Sequence, residues 1–338
     1  MRAFVCGCSG LTLTEDERAF LRETDPFGLI LFKRNVESRQ QVKALADAFR
    51  DCVGRDNAAI LIDQEGGRVQ RLGPPEWRAY PSAARLGQGA RPLEQRAKLT
   101  ELSARIMAHD LRELGINVDC LPVLDVPARG SHNVIGDRAY GDTPDVVAAL
   151  GRAAAQGLLR GHVLPVIKHV PGHGRAMADS HMELPIVAAP IEALRETDFV
   201  PFKANADLPA AMTAHVVYQV LDAERPATLS PIVVDQIIRQ EIGFGGLLIS
   251  DDLSMRALKG SFRERAEGLF AAGVDIALHC NGDLTEAAEV VAGTPRLEDK
   301  ALARAEAAFA MLGEVAAHGD FDPVDAWKEV EAELAIKA

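Results

Sequence analysis

The sequence predicts an α/β chain folded as a single closed (β/α)₈ TIM barrel, and three observations lead there. Short apolar runs alternate with helical patterns through the whole chain, the runs number eight, and no linker or break in composition divides them. The runs are Ala3–Cys6, Gly28–Phe32, Ala58–Ile62, Asn117–Leu121, Leu164–Ile167, Ala210–Thr213, Gly246–Ile249 and Val274–Leu278. None shows the strict polar alternation of a half-solvated strand, so they read as parallel strands covered on both faces. An open doubly wound sheet is the alternative, but no GxGxxG turn follows the first run.

The segments between the runs are amphipathic. Leu13-Thr14-Glu15-Asp16-Glu17 opens one helix with a capping-type start. Ser38–Cys52 places Val42, Leu45, Ala46 and Phe49 on one face. Leu93–Leu114 reads as a longer helix stopped by Gly115, and Glu264–Ala272 stops at Gly273 directly before the eighth run. From about residue 297 an Ala- and Glu-rich helical tail follows, expected to pack on the outside of the barrel. Residues 1–338 are thus read as one domain with that tail.

Composition narrows the function classes. Of 338 residues 48% are hydrophobic and 25% charged, ordinary for a large soluble core, while only 5% are aromatic. Small and aliphatic residues suit helices packed on a sheet. The net charge of −12 comes without any Lys or Arg run, which argues against nucleic acid as a partner. No stretch approaches the ~18 apolar residues of a membrane span, and the N-terminus lacks a signal-type apolar run. The five cysteines, Cys6, Cys8, Cys52, Cys120 and Cys280, are odd in number and scattered, as free thiols in a reducing compartment would be. A cytoplasmic protein is expected, with no cofactor, no membrane partner and a monomer as the default.

In a barrel of this kind the active site lies past the carboxyl ends of the strands. Run three leads to Asp63-Gln64-Glu65-Gly66-Gly67-Arg68, with Arg71 soon after; run four leads to Asp125. Run five leads to Lys168-His169, run six to His215, run seven to Asp251-Asp252, and run eight to His279 and Asn281. Any one of these can be a cap or a loop ion pair. Asp63, for instance, could pair with Arg68 or Arg71 instead of touching a ligand. As a set they mark one chemically active end.

Two segments carry most of the chemistry. Lys168-His169-Val170-Pro171-Gly172-His173-Gly174 is an irregular loop directly off a strand, where Pro and Gly let the backbone approach a ligand. Asp179 and His181 follow, two apart, so that the carboxylate can hold one imidazole nitrogen and leave the other for a substrate. The histidines here also invite a zinc reading. Pro171 and Gly172, however, break the helix that would put His169 and His173 on one face, and the first run carries no His-x-His. No metal is therefore expected. In Leu247-Leu248-Ile249-Ser250-Asp251-Asp252-Leu253-Ser254-Met255, Asp251 sits rigidly at a buried strand end, as a nucleophile must, and Asp252 is expected to cap the next helix.

These two segments, with Asp63-Gln64-Glu65-Gly66-Gly67-Arg68-Val69-Gln70-Arg71, resemble glycoside hydrolase family 3. More narrowly they resemble its single-domain bacterial β-N-acetylglucosaminidases of peptidoglycan recycling, over most of the chain from Gly28 to Met255. The resemblance implies Asp251 as nucleophile, His181 as proton donor and acceptor, and Asp179 as the residue that orients His181. It implies sugar binding by Asp63, Arg71, Arg138, Lys168 and His169, the Arg138 match lying in Ile135-Gly136-Asp137-Arg138. His215 and Asn281 have no specific match and stand only as candidates for lining the pocket. Val170 departs from the motif, where an aromatic residue is common; the effect expected is on loop packing alone. Family β-glucosidases usually draw the acid/base from a second domain, for which this sequence has no room.

The implied activity is retaining hydrolysis of terminal β-linked N-acetylglucosamine from anhydro-muropeptides, through a covalent glycosyl-Asp251 intermediate. The partner is a small carbohydrate, a muropeptide or another N-acetylglucosaminide. Inorganic phosphate as the acceptor would make the enzyme a phosphorylase instead. A catalytically dead scaffold is disfavoured because both Asp251 and His181 are present. A β-glucosidase or β-xylosidase differs by pocket shape, which the sequence does not display.

Overall fold

A computed structural model describes residues 1–128, 130, 133–176, 184–314 and 321–335. Eight parallel strands form a closed barrel: β1 (Arg2–Cys6), β2 (Pro26–Leu31), β3 (Ala59–Ile62), β4 (Val118–Asp119), β5 (Leu164–Val170), β6 (Ala210–Thr213), β7 (Leu247–Asp252) and β8 (Ile276–His279). Each pairs with the next in sequence and β8 closes on β1, with Phe4 opposite Ala277 and Leu29 opposite Ile60. This is the (β/α)₈ barrel that the runs predict.

Alternate residues explain why both faces of each run are apolar. Val5, Ile30, Leu61, Val166, Met212 and Ile249 fill the barrel interior. Their neighbours Phe4, Leu29, Ile60, Ile167, Ala211 and Leu248 lie in the outer cluster under the helices. Side chains on successive strand residues point to opposite faces, and here neither face meets water.

The helices start and stop where local chemistry directs. Thr14 and Glu17 form a capping box at the Glu15–Thr24 helix, and Ser38 caps Arg39–Val53. The Leu93–Glu113 helix runs to Gly115, whose φ of +77° suits glycine. The helix before β8 is Phe262–Ala272, and it ends at Gly273. Among the described residues no helix is long and apolar enough to cross a membrane.

The tail departs from its expected place. Its first helix, Asp299–Glu314, packs across the amino-terminal mouth of the barrel, with Ala305 and Ala308 in the inner cluster beside Ala3 and Phe27. Ala3, Ala59 and Ala210 leave that floor short of side-chain volume, and the helix's own alanines let its backbone come close. Arg304 ties it to Asp275 at 2.7 Å. The second helix, Pro323–Leu334, lies outside, against Leu93–Glu113, with Trp327 edge-on to Tyr80 at 5.4 Å.

Candidate active site

The residues after β3 fold back as a tight hairpin, Gln64–Gly66 against Val69–Gln70. Gly66 and Gly67 make the turn with φ of +85° and +58°, and a Cβ on Gly66 would lie 2.3 Å from the Pro81 oxygen. Gln64 braces the return: its Oε1 accepts the N–H groups of Arg71 and Leu72, and its Nε2 donates to the Leu72 oxygen. Arg71 thereby comes back to Asp63, donating to it at 2.9 Å, with its guanidinium 4.9 Å over the Phe32 ring. Arg68 turns away to Asp137 and to the backbone oxygens of Asn133, Val134 and Ile135. Of the two arginines considered for Asp63, Arg71 is the partner.

Lys168, at the end of β5, is buried and donates to Asp63 at 2.8 Å, while its ammonium pairs with Glu65 at 2.7 Å. Glu65 in turn accepts two parallel bonds from Arg138, each 2.8 Å. The chain of charge Arg71–Asp63–Lys168–Glu65–Arg138 alternates in sign along its length. Burial alone would raise the Asp63 and Glu65 pKa values, but Lys168 first, then Arg71 for Asp63 and Arg138 for Glu65, holds them low, Glu65 at about 2. Burial would lower Lys168, and the two carboxylates hold it above its ordinary value. Asp63, Glu65, Lys168 and Arg138 therefore stay charged at neutral pH.

Asp125 organises the loop after β5. Its Oδ1 accepts the backbone N–H of His169 at 3.2 Å and of His173 at 2.7 Å, and its Oδ2 accepts His169 Nδ1–H at 2.7 Å. The Nδ1 proton is thus fixed, and Nε2 is the ring nitrogen left for the cavity. Against burial, His169 and then His173 hold Asp125 down at about 2. His173 is pushed down to about 4 by burial and by the neighbouring His169, whose ring meets it edge-on at 5.6 Å. Tyr218 O–H donates to the Gly172 oxygen, and Arg175 donates to Asp198 at 2.6 Å. Asp179 and His181, the acid/base pair implied by the sequence, lie outside the described residues.

At the end of β7, Asp251 accepts the backbone N–H of Asp252 at 2.8 Å. Asp252 is not the expected helix cap, because the next helix begins ten residues on and is capped by Ser261. Its carboxylate instead accepts the N–H groups of Ser254 at 2.9 Å and Cys280 at 3.0 Å, tying the β7 turn to the end of β8.

Asp63, Arg71, Arg138, Lys168, His169 and Asp251 converge on a cavity of about 240 Å³ at the carboxyl end of the barrel. That volume falls just below the roughly 300–1,000 Å³ of ordinary ligand pockets, room for one small ring more than for an extended chain. Its lining is partly charged and partly apolar, the apolar part including Phe32, Met212, Met255 and Cys280. His215 and Asn281 are not among its lining residues. His215 is turned back into the protein toward Thr228 and the Asp252 backbone, and Asn281 is exposed and bonded to Glu286. His279 is also buried, 3.1 Å from Glu286. Glu65 and the apolar lining are not among the residues the sequence singles out. Glu65 had a signal, its place between Asp63 and the two glycines, whereas Phe32, Met255 and Cys280 had none.

Among the described residues, one group of His and carboxylates is close enough to chelate a metal: His109, Asp110 and Glu113 on the outer Leu93–Glu113 helix. Arg78 already holds both oxygens of that Asp110, at 2.6 and 2.7 Å.

Known proteins of the same architecture resemble the chain closely. Residues 8–307 match the glycosyl hydrolase family 3 N terminal domain. A beta-hexosaminidase of Methylococcus capsulatus is 40% identical over 276 residues, 80% of each chain. One from Bordetella pertussis is 38% identical over 284 residues, 82% of this chain and 80% of that one. The crystal structure of native NagZ from Neisseria gonorrhoeae superposes with a TM-score of 0.85 at 33% identity, covering 99% of this chain and 98% of that one. The same protein in complex with N-trifluoroacetyl-D-glucosamine superposes with a TM-score of 0.85 at 32% identity, with the same coverage. With the family's domain spanning most of its length and its strand-end motifs gathered in one cavity, this chain belongs to glycosyl hydrolase family 3.

Proposed function

We propose that the chain is a retaining exo-β-N-acetylglucosaminidase that removes terminal β-linked N-acetylglucosamine from peptidoglycan fragments in the cytoplasm. It is a glycoside hydrolase of the β-N-acetylhexosaminidase type, as its family and its beta-hexosaminidase relatives indicate. The observation that carries the finer reading is Asp251 standing at a strand end in the same small cavity as Lys168, Arg71 and Arg138. A cavity sized for one ring supports exo action on a terminal sugar. The N. gonorrhoeae complex with a glucosamine derivative supports the sugar.

The mechanism has two displacements. Asp251 attacks the anomeric carbon while protonated His181, oriented by Asp179, gives its proton to the glycosidic oxygen. The carbon–oxygen bond breaks, the aglycone leaves as an alcohol, and the sugar stays esterified to Asp251. Water then attacks the same carbon, His181 takes its proton, and Asp251 is released as the carboxylate. Asp63 accepts from sugar hydroxyls, and Arg71, Arg138, Lys168 and His169 contact the ring. No metal or organic cofactor is called for by these steps.

The test is release of nitrophenol from an aryl N-acetyl-β-glucosaminide in phosphate-free buffer, wild type beside Asp251→Ala. Turnover by the wild type that falls about 10³-fold or more in a folded Asp251→Ala supports the reading. A variant nearly as active as the wild type removes Asp251 as nucleophile. Turnover that requires added phosphate and yields a sugar 1-phosphate replaces hydrolysis by phosphorolysis. Release of N-acetylglucosamine from a defined anhydro-muropeptide, compared with a chitin fragment, tests the aglycone.

A further inference from the structure

His215 is wholly buried behind the end of β7 and lines no part of the cavity. Its Nε2 lies 3.0 Å from the backbone oxygen of Asp252, and its Nδ1 lies 2.8 Å from Thr228 Oγ1. A carbonyl oxygen only accepts, so Nε2 carries the ring hydrogen. Burial pushes the imidazole pKa down, which keeps the ring neutral and leaves Nδ1 an acceptor. The single hydroxyl hydrogen of Thr228 therefore points to Nδ1. Thr213 Oγ1, 2.8 Å from Thr228 Oγ1, must be the donor in that contact. The 3.1 Å approach of Thr228 Oγ1 to the Ala214 oxygen is then left without a hydrogen. Every bond in the chain runs one way, from Thr213 through Thr228 and His215 to the Asp252 carbonyl.

The other groups of Asp252 face the active carboxylate and its supports. Its N–H donates to Asp251 Oδ1 at 2.8 Å, and its own carboxylate is tied to the backbone of Ser254 and Cys280. Held at both its carbonyl and its side chain, Asp252 has little freedom to turn the N–H that it offers to Asp251. We infer that His215 is a positioning residue for Asp251, acting through the Asp252 backbone to hold the carboxylate on the line of attack. The inference rests on the reading of Asp251 as the nucleophile. It assigns a role to a buried polar group that neither binding nor proton transfer uses.

The experiment compares His215→Leu, His215→Gln and Asp251→Ala with the wild type on an aryl N-acetyl-β-glucosaminide, with melting temperatures recorded. Gln carries an N–H donor as many bonds from the backbone as Nε2 does; Leu carries none. In His215→Leu, kcat should fall about 10²-fold, the scale expected of a misplaced reacting group, with KM within about threefold. His215→Gln should recover most of that loss at a similar melting temperature. A Leu variant as fast as the wild type, or a Gln variant no faster than Leu, overturns the inference. An inactive Asp251→Ala beside a fully active His215→Leu sinks the positioning role alone; an active Asp251→Ala sinks the nucleophile and the positioning role together. If neither His215 variant folds, NMR of the wild type with ¹⁵N-labelled histidine decides. A neutral Nε2–H tautomer supports the hydrogen-bond chain, and an Nδ1–H tautomer overturns it.

Discussion

Asp125 Oδ2 lies 2.7 Å from His169 Nδ1, while its Oδ1 accepts the backbone N–H groups of both His169 and His173. One buried carboxylate thus sets a side chain that faces the cavity and the backbone of the loop that carries it. Asp125→Asn should lower kcat/KM about 10²-fold, because an amide presents N–H groups where only an acceptor fits. Stability should fall by about 1.5–3 kcal/mol, the usual worth of a hydrogen bond to a charged group. Steady-state kinetics and urea unfolding measure the two separately; a variant with wild-type kinetics would remove Asp125 from the account of the site.

Glu65 stands between Lys168 and Arg138, and its loss should be felt by both. Breaking a buried ion pair by removing one partner costs about 3–5 kcal/mol, because the remaining charge is left uncompensated. Glu65→Gln should therefore lower the unfolding midpoint and raise KM. Arg138→Lys should not be benign, since an ammonium cannot reproduce the two parallel 2.8 Å bonds to Glu65. Urea unfolding and substrate titrations on the two variants check both outcomes.

His173 and the buried carboxylates Glu65 and Asp125 should contribute to the pH dependence of stability in two separate stages. His173 has its pKa pushed from 6.5 to about 4, so it stabilises the fold above the unfolded value and loses that contribution as pH falls through the folded one. The loss, on the order of 3 kcal/mol, spans roughly pH 6.5 to 4. Glu65 and Asp125, each held at about 2, lose their contribution in a second stage as pH falls from about 4 toward 2. Asp198, raised to about 6 by burial, adds stability over part of the same upper window as pH falls. The His173 stage is therefore read as the difference between the melting curves of the wild type and His173→Gln, while the lower stage should persist in both. An unchanged upper stage in that variant would assign it to another group.

Gly174 is required by close approach of two backbones. A Cβ there would lie 1.9 Å from the Val126 oxygen, a contact that no side-chain rotation relieves. Gly174→Ala should displace the loop or the segment after Asp125. The expected cost is about 1–3 kcal/mol, with a fall in kcat/KM. Thermal unfolding and kinetics on this one variant check it. Gly89→Ala has nothing within 4 Å of its added Cβ, although its φ of +104° strains any side chain, and it controls for the general effect of removing a glycine.

Much of this molecule was legible one segment at a time. The capping box at Thr14, the stop at Gly115 and the buried face of Val42, Leu45, Ala46 and Phe49 depend on neighbours within a few residues, and the structure contains all three. At Asp252 the same locality points the wrong way. An Asp at the end of a strand resembles a cap locally, but its carboxylate accepts the N–H of Cys280, just past β8 and 28 residues on. His215 is similar: the strand carries it to the active end, and the side chain then turns to Thr228 instead of the cavity.

By itself, the sequence determined the eight strands, their order around the barrel and the placing of Asp63, Lys168, His169 and Asp251 at the carboxyl end. Those follow from apolar period, turn glycines and chain order, which are local properties. Only the tertiary structure decided that Asp63 takes Arg71 and Lys168 rather than Arg68, and that Glu65 is shared by Lys168 and Arg138. It alone decided that Asp125 governs a loop 44 residues away, and that a tail helix closes the barrel floor. These depend on strand register and on the direction each side chain takes from a curved sheet, so they arise only once the barrel has closed.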